Sequence, residues 1–312
     1  MGFFSILLTI VGLSAFETIS SVDNAIINAE VLSTMKPKYQ RRFLVRGILI
    51  AVFIVRGLLP WLIIYFTAPQ LWFIGSFTAT FSNNPQIHTI IASSAPILLM
   101  GWGIFLLFLF FYRLFLEPKH FGLPHEKFFQ KQWWRFYAIV SIILVILVWL
   151  GMNISPMIWF GAVVGSSAFF IIHGFKTQAE RKEEKLAQNS KGISDIAKIL
   201  YLEVIDATFS LDGVLGAFAF TLSVPLILIG NGLGAFIVRR LTVHNVQRIQ
   251  KYKYLKNWAM YSILCLGIVM VLKSFWFGLP ERVSPVLTFA IIGYFFRKSH
   301  IDLKTVEKIL ES

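Results

Sequence analysis

Long apolar stretches separated by short basic segments are the dominant pattern along this chain. Three stretches carry no Asp, Glu, Lys or Arg at all, at residues 57–112, 136–175 and 213–238. A helix needs about 20 residues to cross a bilayer, so each stretch is long enough for one or two crossings. The pattern therefore predicts membrane-spanning helices, because a soluble helix would show only a narrow apolar stripe.

These stretches predict an all-α polytopic membrane protein with about nine transmembrane helices, and an eight-span arrangement stays open. The predicted spans are 3–33, 43–67, 88–111, 136–152, 157–175, 197–221, 224–241, 257–277 and 283–296. Composition agrees with this class, since 56% of the residues are hydrophobic and the mean hydropathy is +0.70. Cys265 is the single cysteine, which excludes an intramolecular disulfide and a thiolate metal cluster.

Basic residues predict the orientation of the spans. All but three of the 29 Lys and Arg lie in five segments, at 36–46, 113–135, 176–198, 239–256 and 297–308. In a nine-span arrangement these segments share one side, and the positive-inside rule makes that side cytoplasmic, with the N-terminus outside and the C-terminus inside. The net charge of +13 then suits anionic lipid, and no separate basic domain indicates a nucleic-acid partner.

An acid motif occurs twice. Glu17–Ile27 reads ETISSVDNAII and Asp206–Gly216 reads DATFSLDGVLG, so each copy has an acid, three residues, Ser, an apolar residue, Asp, and then Asn or Gly. The tetrapeptide FIVR follows each copy, at Phe53–Arg56 and at Phe236–Arg239. Two matches in the same order indicate an internal repeat.

The two copies are predicted to run in opposite directions, because the first begins on span 1 and the second on span 6. Inverted-topology repeats of this kind are common in secondary transporters, whose site lies near the membrane midplane. We predict four regions: a first repeat at 1–116, connecting spans and a cytoplasmic linker at 117–196, a second repeat with span 9 at 197–296, and a cytoplasmic tail at 297–312. A short cytoplasmic helix is expected at 176–192.

Acids inside the predicted spans need compensation, since an ionised carboxylate there costs about 2.5 to 3.5 kcal/mol on insertion scales. Five acids are affected: Glu17, Asp23, Glu203, Asp206 and Asp212. Protonation, pairing with a buried arginine or a bound cation would each relieve the cost. Arg56 and Arg239 are the candidate counter-charges, and two arginines cannot neutralise five carboxylates.

A bound cation would find hard oxygen ligands in both motifs. Carboxylate, amide and hydroxyl oxygens suit Mn²⁺, Mg²⁺ or Ca²⁺, and neither motif contains Cys or His. The predicted metal ligands are Glu17, Asp23, Asn24, Asp206 and Asp212. The predicted supporting polar residues are Ser21, Asn28, Glu203 and Ser210.

Helical spacing separates the two acids of each copy. One helix face carries Glu17, Ser21, Asn24 and Asn28. Asp23 lies about 120° from that face, and the same offset separates Asp206 from Asp212. Two explanations stay open: the helix unwinds near Asp23 and near Asp212, so that both acids reach one ion, or the second Asp faces a different helix.

The chain resembles the TerC-like integral membrane proteins, specifically a bacterial branch named for its unknown function, within the LysE/TerC transporter superfamily. The resemblance lies in FETISSVDNAIINAEVL from Phe16, YLEVIDATFSLDGVLGAFAFT from Tyr201 and GLGAFIVRRLT from Gly232. It implies a bacterial inner-membrane protein, and relatives are implicated in manganese export and in tellurium-resistance gene clusters. The chain departs from this branch at YLKNWAMYSI from Tyr254, where Lys256 takes the position of an expected acid.

The function predicted is divalent cation transport, with Mn²⁺ export favoured, no enzymatic activity, and proton or sodium coupling as an option. The rival interpretation is a membrane scaffold that handles metal in envelope stress resistance without transport of its own. Membrane protein partners or a homo-oligomer are compatible with both. An intramembrane aspartyl protease fits poorly, because Asp206 and Asp212 share one span and a Gly-x-Gly-Asp motif would need Asp at Ala235.

Overall fold

The structure is a computed structural model that describes residues 2–43, 56–67, 69–79, 85–117, 123–188, 194–244 and 254–311. These ranges are helical, with short turns and no β-strand. The helices, in chain order, are α1 Phe3–Ser20, α2 Val22–Ser33, α3 Pro37–Arg42, α4 Arg56–Thr67, α5 Phe73–Ala79, α6 Pro85–Phe115, α7 Pro124–Gln130, α8 Arg135–Met152, α9 Pro156–Gln188, α10 Asp195–Ala217, α11 Val224–His244, α12 Leu255–Ser274 and α13 Val283–Glu311.

Five of the described helical segments are long and apolar enough to cross a bilayer: Phe3–Ser20, Ser93–Phe115, Arg135–Met152, Pro156–Gly174 and Asn257–Ser274. An all-helical membrane protein is therefore confirmed. The full number of spans, the inverted repeat and the domain limits stay predictions.

Two helices run further than the sequence predicts. Helix α9 continues from its apolar half to Gln188, so the short cytoplasmic helix expected at 176–192 is part of one long helix up to that residue. Helix α13 continues past the predicted end of span 9 to Glu311. Neither segment contains Pro or a run of turn residues at the predicted boundary, so nothing in the local sequence ends the helix there.

Helix α6 is the centre of the bundle and α8 lies at its edge. In an 18-residue apolar stretch within Ser93–Phe115 of α6, 78% of the residues are buried, against 17% in α8. Apolar side chains such as Ile142, Val145 and Trp149 point away from the protein on α8. An apolar surface of this kind suits lipid contact, which agrees with a bilayer environment.

Glycines bring the backbones of α6, α9 and α12 close together. A Cβ at Gly165 of α9 would collide with the backbone of Gly101 on α6. On the other side of α6, Gly103 and Gly267 face each other, and a Cβ on either one would lie 3.2 Å from the carbonyl oxygen of the other. Small residues at such crossings give close van der Waals packing, which is how helices associate in lipid.

The helices of the two predicted repeats pack crosswise. Helix α1 of the first copy packs against α11 of the second, and α10 of the second packs against α4 of the first. The helices that follow, α6 and α12, pack against each other at the reciprocal glycine contact. The first helices of the two copies, α1 and α10, are also in contact.

Candidate functional site

Glu17 is a fully buried carboxylate roughly midway along the rod formed by α1 and α2. Ser21 donates a hydrogen bond from its hydroxyl to Oε1 of Glu17, at 2.8 Å. The helix is interrupted at this point, because α1 ends at Ser20 and α2 begins at Val22. The interruption lies two residues before Asp23, near the position where unwinding was one of two explanations for the first motif.

Two glycines from the second copy make room for the Glu17 side chain. A Cβ at Gly213 of α10 would collide with Oε2 of Glu17, and a Cβ at Gly234 of α11 would collide with its Cβ and Cγ. Gly213 follows Asp212 directly. The first acid of one motif therefore lies against the end of the other motif, at the junction of α1, α10 and α11.

Contacts along the rod show that α10 runs antiparallel to α1 and α2. Gly12 is close to Phe220, just beyond the end of α10, and Phe16 is close to Gly216. At the other end of the rod, Lys198 of α10 donates a hydrogen bond to Oγ1 of Thr34 at 2.9 Å. Residue numbers on α10 therefore decrease along the direction in which residue numbers on α1 and α2 increase. The two acid motifs lie side by side.

This register interleaves the acids of the two copies along the helix axis. Along the axis, Glu17 lies closer to the start of α1 than the level of Asp212. Asp23 lies between the levels of Asp212 and Asp206. Along the helix axis, neighbouring positions are thus about three residues apart, or about 4.5 Å at 1.5 Å per residue, in addition to the distance between the two helices. We call the series Glu17, Asp212, Asp23, Asp206 and Glu203 the acid column, defined by backbone position.

Several predicted site residues have side chains that lie outside the described part of the structure, although their backbones are helical. They are Asp23, Asn24, Arg56, Asp206, Ser210 and Asp212. Helix α10 is unbroken through Asp212 and Gly213, so unwinding in the second copy is not observed. Among the side chains that are described, no group of three or more His, Cys, Asp or Glu forms a metal cluster.

Two buried amides add polar atoms near the column. Asn231 of α11 is fully buried, and neither Oδ1 nor Nδ2 forms a hydrogen bond within the described ranges. It lies one turn before Gly234, on the α1-start side of Glu17. Asn28 of α2 is 6% exposed, and its Oδ1 likewise has no hydrogen-bond partner there. Asn231 was not among the site residues predicted from the sequence, although a polar Asn within the charge-free stretch 213–238 was a signal for a site residue.

Glu203 pairs with Arg239, the predicted counter-charge of the second copy. Nη2 of Arg239 lies 3.6 Å from Oε1 of Glu203, and both side chains are 9% exposed. The guanidinium also donates a hydrogen bond from Nη1 to the carbonyl oxygen of Phe43 at 2.7 Å, and it stacks over the Phe43 ring at 4.4 Å. This pairing compensates the charge of Glu203. Glu17 lies at a different place, the junction of α1, α10 and α11.

Apolar residues close both ends of the column. At the end next to α3, which we call the α3 end, the buried cluster comprises Leu32, Met35, Phe43 and Leu202. At the opposite end, the turn between α10 and α11 is buried against α1, and the Phe16 and Phe220 rings lie 5.9 Å apart. The two described carboxylates of the column, Glu17 and Glu203, are thus enclosed within the protein.

A further buried carboxylate lies outside the column. Glu126 of α7 is fully buried and accepts hydrogen bonds from the Leu123 amide at 3.1 Å, from the Tyr261 hydroxyl at 3.0 Å and from the Asn257 amide nitrogen. The contact with the Leu123 amide belongs to a capping box at the start of α7. Glu126 was not among the residues predicted from the sequence, although Pro124 followed by Glu two residues later was a local signal for a helix start.

The fold and its enclosed acids define the class: an α-helical membrane protein with carboxylates among its helices. The chain belongs to the DUF475 family, described as proteins of unknown function, whose pattern matches residues 22–305. The uncharacterized membrane protein YceF of Bacillus subtilis (strain 168) is 27% identical over 160 residues. That match covers 47% of this chain and 62% of YceF. No solved structure matches the chain.

Proposed function

We propose that the protein transports a divalent cation, with Mn²⁺ as the preferred substrate, and exports it across the bacterial inner membrane. The observation that carries this proposal is the buried Glu17 carboxylate at Gly213, where the two acid motifs meet. A carboxylate this deep in an apolar helix bundle is costly unless a cation, a proton or an arginine compensates it. Repeated acids on two helices give a cation several such positions.

The chemistry of the side chains supports a hard cation. Carboxylates of Glu17, Asp23, Asp206 and Asp212, with the Asn24 amide, are oxygen ligands of the kind that Mn²⁺, Mg²⁺ and Ca²⁺ prefer. The TerC-like resemblance favours Mn²⁺ among these ions. The same carboxylates bind protons when the metal leaves, which supports coupling to protons, with sodium as the alternative.

The packing of the helices supports an inverted repeat. An internal two-fold axis that relates α1 to α10, α4 to α11 and α6 to α12 would turn the α1–α11 contact into the α10–α4 contact and would place α6 against α12. All three contacts are present. Transporters built this way expose a central site to each side in turn by moving one repeat against the other. In this arrangement the α3 end faces the cytoplasm, because α3 carries Arg41 and Arg42 next to Lys36 and Lys38. No enzymatic step is part of the proposal.

The experiment is a Mn²⁺ flux assay in everted membrane vesicles with a metal-quenched dye. Wild type is compared with Glu17→Gln, Asp23→Asn and Asp212→Asn, and Glu281→Gln serves as a matched control at an exposed acid. We expect saturable flux that the three column substitutions abolish and the control retains.

Absence of flux of Mn²⁺, Mg²⁺ and Ca²⁺ in well-folded protein, with a proton gradient present, would overturn the transport proposal. The membrane scaffold would then be favoured, and it predicts stoichiometric metal binding without flux.

A further inference from the structure

Arg239 is held by Phe43 more tightly than by Glu203. Its hydrogen bond to the Phe43 carbonyl is 2.7 Å long, and the ring of the same residue lies 4.4 Å beneath the guanidinium. The contact with Glu203 is 3.6 Å, longer than the roughly 2.7 to 2.9 Å of a charge-assisted hydrogen bond. The arginine is therefore anchored at the end of α3 and faces Glu203 as a neighbouring charge.

Glu203 is the last acid of the column at the α3 end. Beyond it, the apolar cluster of Leu32, Met35, Phe43 and Leu202 fills the space between α2, α3 and α10. Polar contacts at the level of this cluster are made by Gln40 with the carbonyl oxygens of Leu32 and Met35 and by Lys198 with Thr34. A cation entering or leaving the column at this end has to pass both the cluster and the guanidinium.

A guanidinium keeps its charge at every physiological pH, so it can serve as a permanent substitute for a cation. Both Glu203 and Arg239 are 9% exposed, so removing either one takes a buried counter-charge away from the other. A divalent cation at Glu203 would remove the need for Arg239 there. Phe43 gives the guanidinium a second set of contacts that it retains when it leaves the carboxylate.

We propose that Glu203 is the cation-binding carboxylate at the α3 end of the column and that Arg239 is the counter-ion that occupies it while this end is closed. The proposal rests on the proposed function. When this end opens, Arg239 moves away from Glu203 together with Phe43 and α3, and the transported cation takes its position.

The test measures access to the column without metal. Cys265 is the only cysteine, so Cys265→Ser gives a cysteine-free chain, and Ser20→Cys then places a reporter next to Glu17. A membrane-impermeant thiol reagent is applied to vesicles of either orientation. The exposed Lys38 of α3, as Lys38→Cys in a separate chain, identifies the side that carries the α3 end.

We expect Arg239→Ala to raise the labelling rate of the reporter from the α3 side by about tenfold, because the closed state loses its counter-ion. Phe43→Ala is expected to act in the same direction. Arg240→Ala is the matched control, since Arg240 is the exposed neighbour on the same helix, and it should label as the parent does. Equal rates in Arg239→Ala and Arg240→Ala would overturn the proposal.

Arg239→Lys decides the case if the alanine variant loses its fold, which would appear as faster labelling from both sides. Lysine keeps the charge but lacks the second nitrogen that joins Phe43 to Glu203, so we expect labelling at least about three times faster than in Arg240→Lys. The same rate in both lysine variants would count against the proposal.

The result is separable from that of the flux assay. Flux with unchanged labelling in the Arg239 variants overturns the closure and leaves transport intact. Faster labelling in a chain without flux overturns transport, and with it the role of Glu203 as a ligand of the transported cation, and leaves only the closure by Arg239.

Discussion

The Glu17 carboxylate occupies the space that a side chain at position 213 would need. Oε2 of Glu17 approaches Gly213 so closely that any Cβ there would collide with it. This contact gives a reason for one difference between the two copies of the motif, where the first copy has Asn24 and the second has Gly213. The motifs diverge at the position where one of them must accept the acid of the other.

Gly213→Ala is expected to weaken Mn²⁺ binding at least tenfold and to lower the free energy of unfolding by about 1 to 3 kcal/mol, because the new methyl group displaces the Glu17 carboxylate. Isothermal titration and thermal unfolding in detergent measure the two effects. Gly293→Ala is the matched control, since a Cβ at Gly293 meets nothing within 4 Å. Equal behaviour of the two variants would contradict the contact.

Glu17→Gln is expected to abolish the stabilisation of the protein by Mn²⁺ while leaving the metal-free protein at least as stable as wild type. Glutamine still accepts the hydrogen bond from Ser21, and it removes a buried charge. At a Mn²⁺ concentration of 100 times Kd, binding should stabilise wild type by about 2.7 kcal/mol. Thermal unfolding with and without Mn²⁺ measures this, and a metal response retained in Glu17→Gln would place the ion elsewhere.

Gly165→Ala is expected to destabilise the protein by about 1 to 3 kcal/mol through overpacking, because α9 would have to move away from the Gly101 backbone. Gly174→Ala on the same helix is the control, since nothing lies within 4 Å of a Cβ there. Unfolding in mixed micelles measures both variants. Neither glycine touches the acid column, so Gly165 is assigned a packing role only. A loss of Mn²⁺ binding without a loss of stability in Gly165→Ala would contradict that role.

Glu126→Ala is expected to destabilise the protein by about 3 kcal/mol, because buried donors on Leu123, Asn257 and Tyr261 lose their shared acceptor. Glu117→Ala is the matched control: its contact with Arg113 is 3.8 Å long and Glu117 is 28% exposed, so its loss should cost less than about 1 kcal/mol. Thermal unfolding measures both variants, and Mn²⁺ flux per folded molecule should be unchanged in each. A flux defect in folded Glu126→Ala would instead give this carboxylate a role in transport.

Much of the helical architecture could be predicted from the sequence. Charge-free stretches long enough for a bilayer end at basic segments, and the observed limits of α8, Arg135–Met152, fall within one residue of the predicted span. The failures lie where a span continues as a polar helix, as in α9 beyond Gly174, because hydropathy marks the edge of the bilayer and not the end of a helix.

The candidate site was predictable in its residue types but not in its arrangement. The spacing of Glu17 and Ser21 at one helical turn is a local property, and the structure has the corresponding hydrogen bond. The pairing of Arg239 with Glu203 depends instead on how α10 packs against α11. Both residues were predicted from the sequence as site residues, but sequence spacing could not show that they form a pair.

The sequence by itself determined that this is a helical membrane protein with repeated acids inside its apolar segments, because burial in lipid requires runs of apolar residues and makes each exception visible. Only the tertiary structure decided that Glu17 meets Gly213, that the two motifs lie antiparallel, and that Glu126 is buried by α12. These relationships depend on the register between helices far apart in the chain, and that register is set by close contacts at glycines and buried polar groups that no local periodicity encodes.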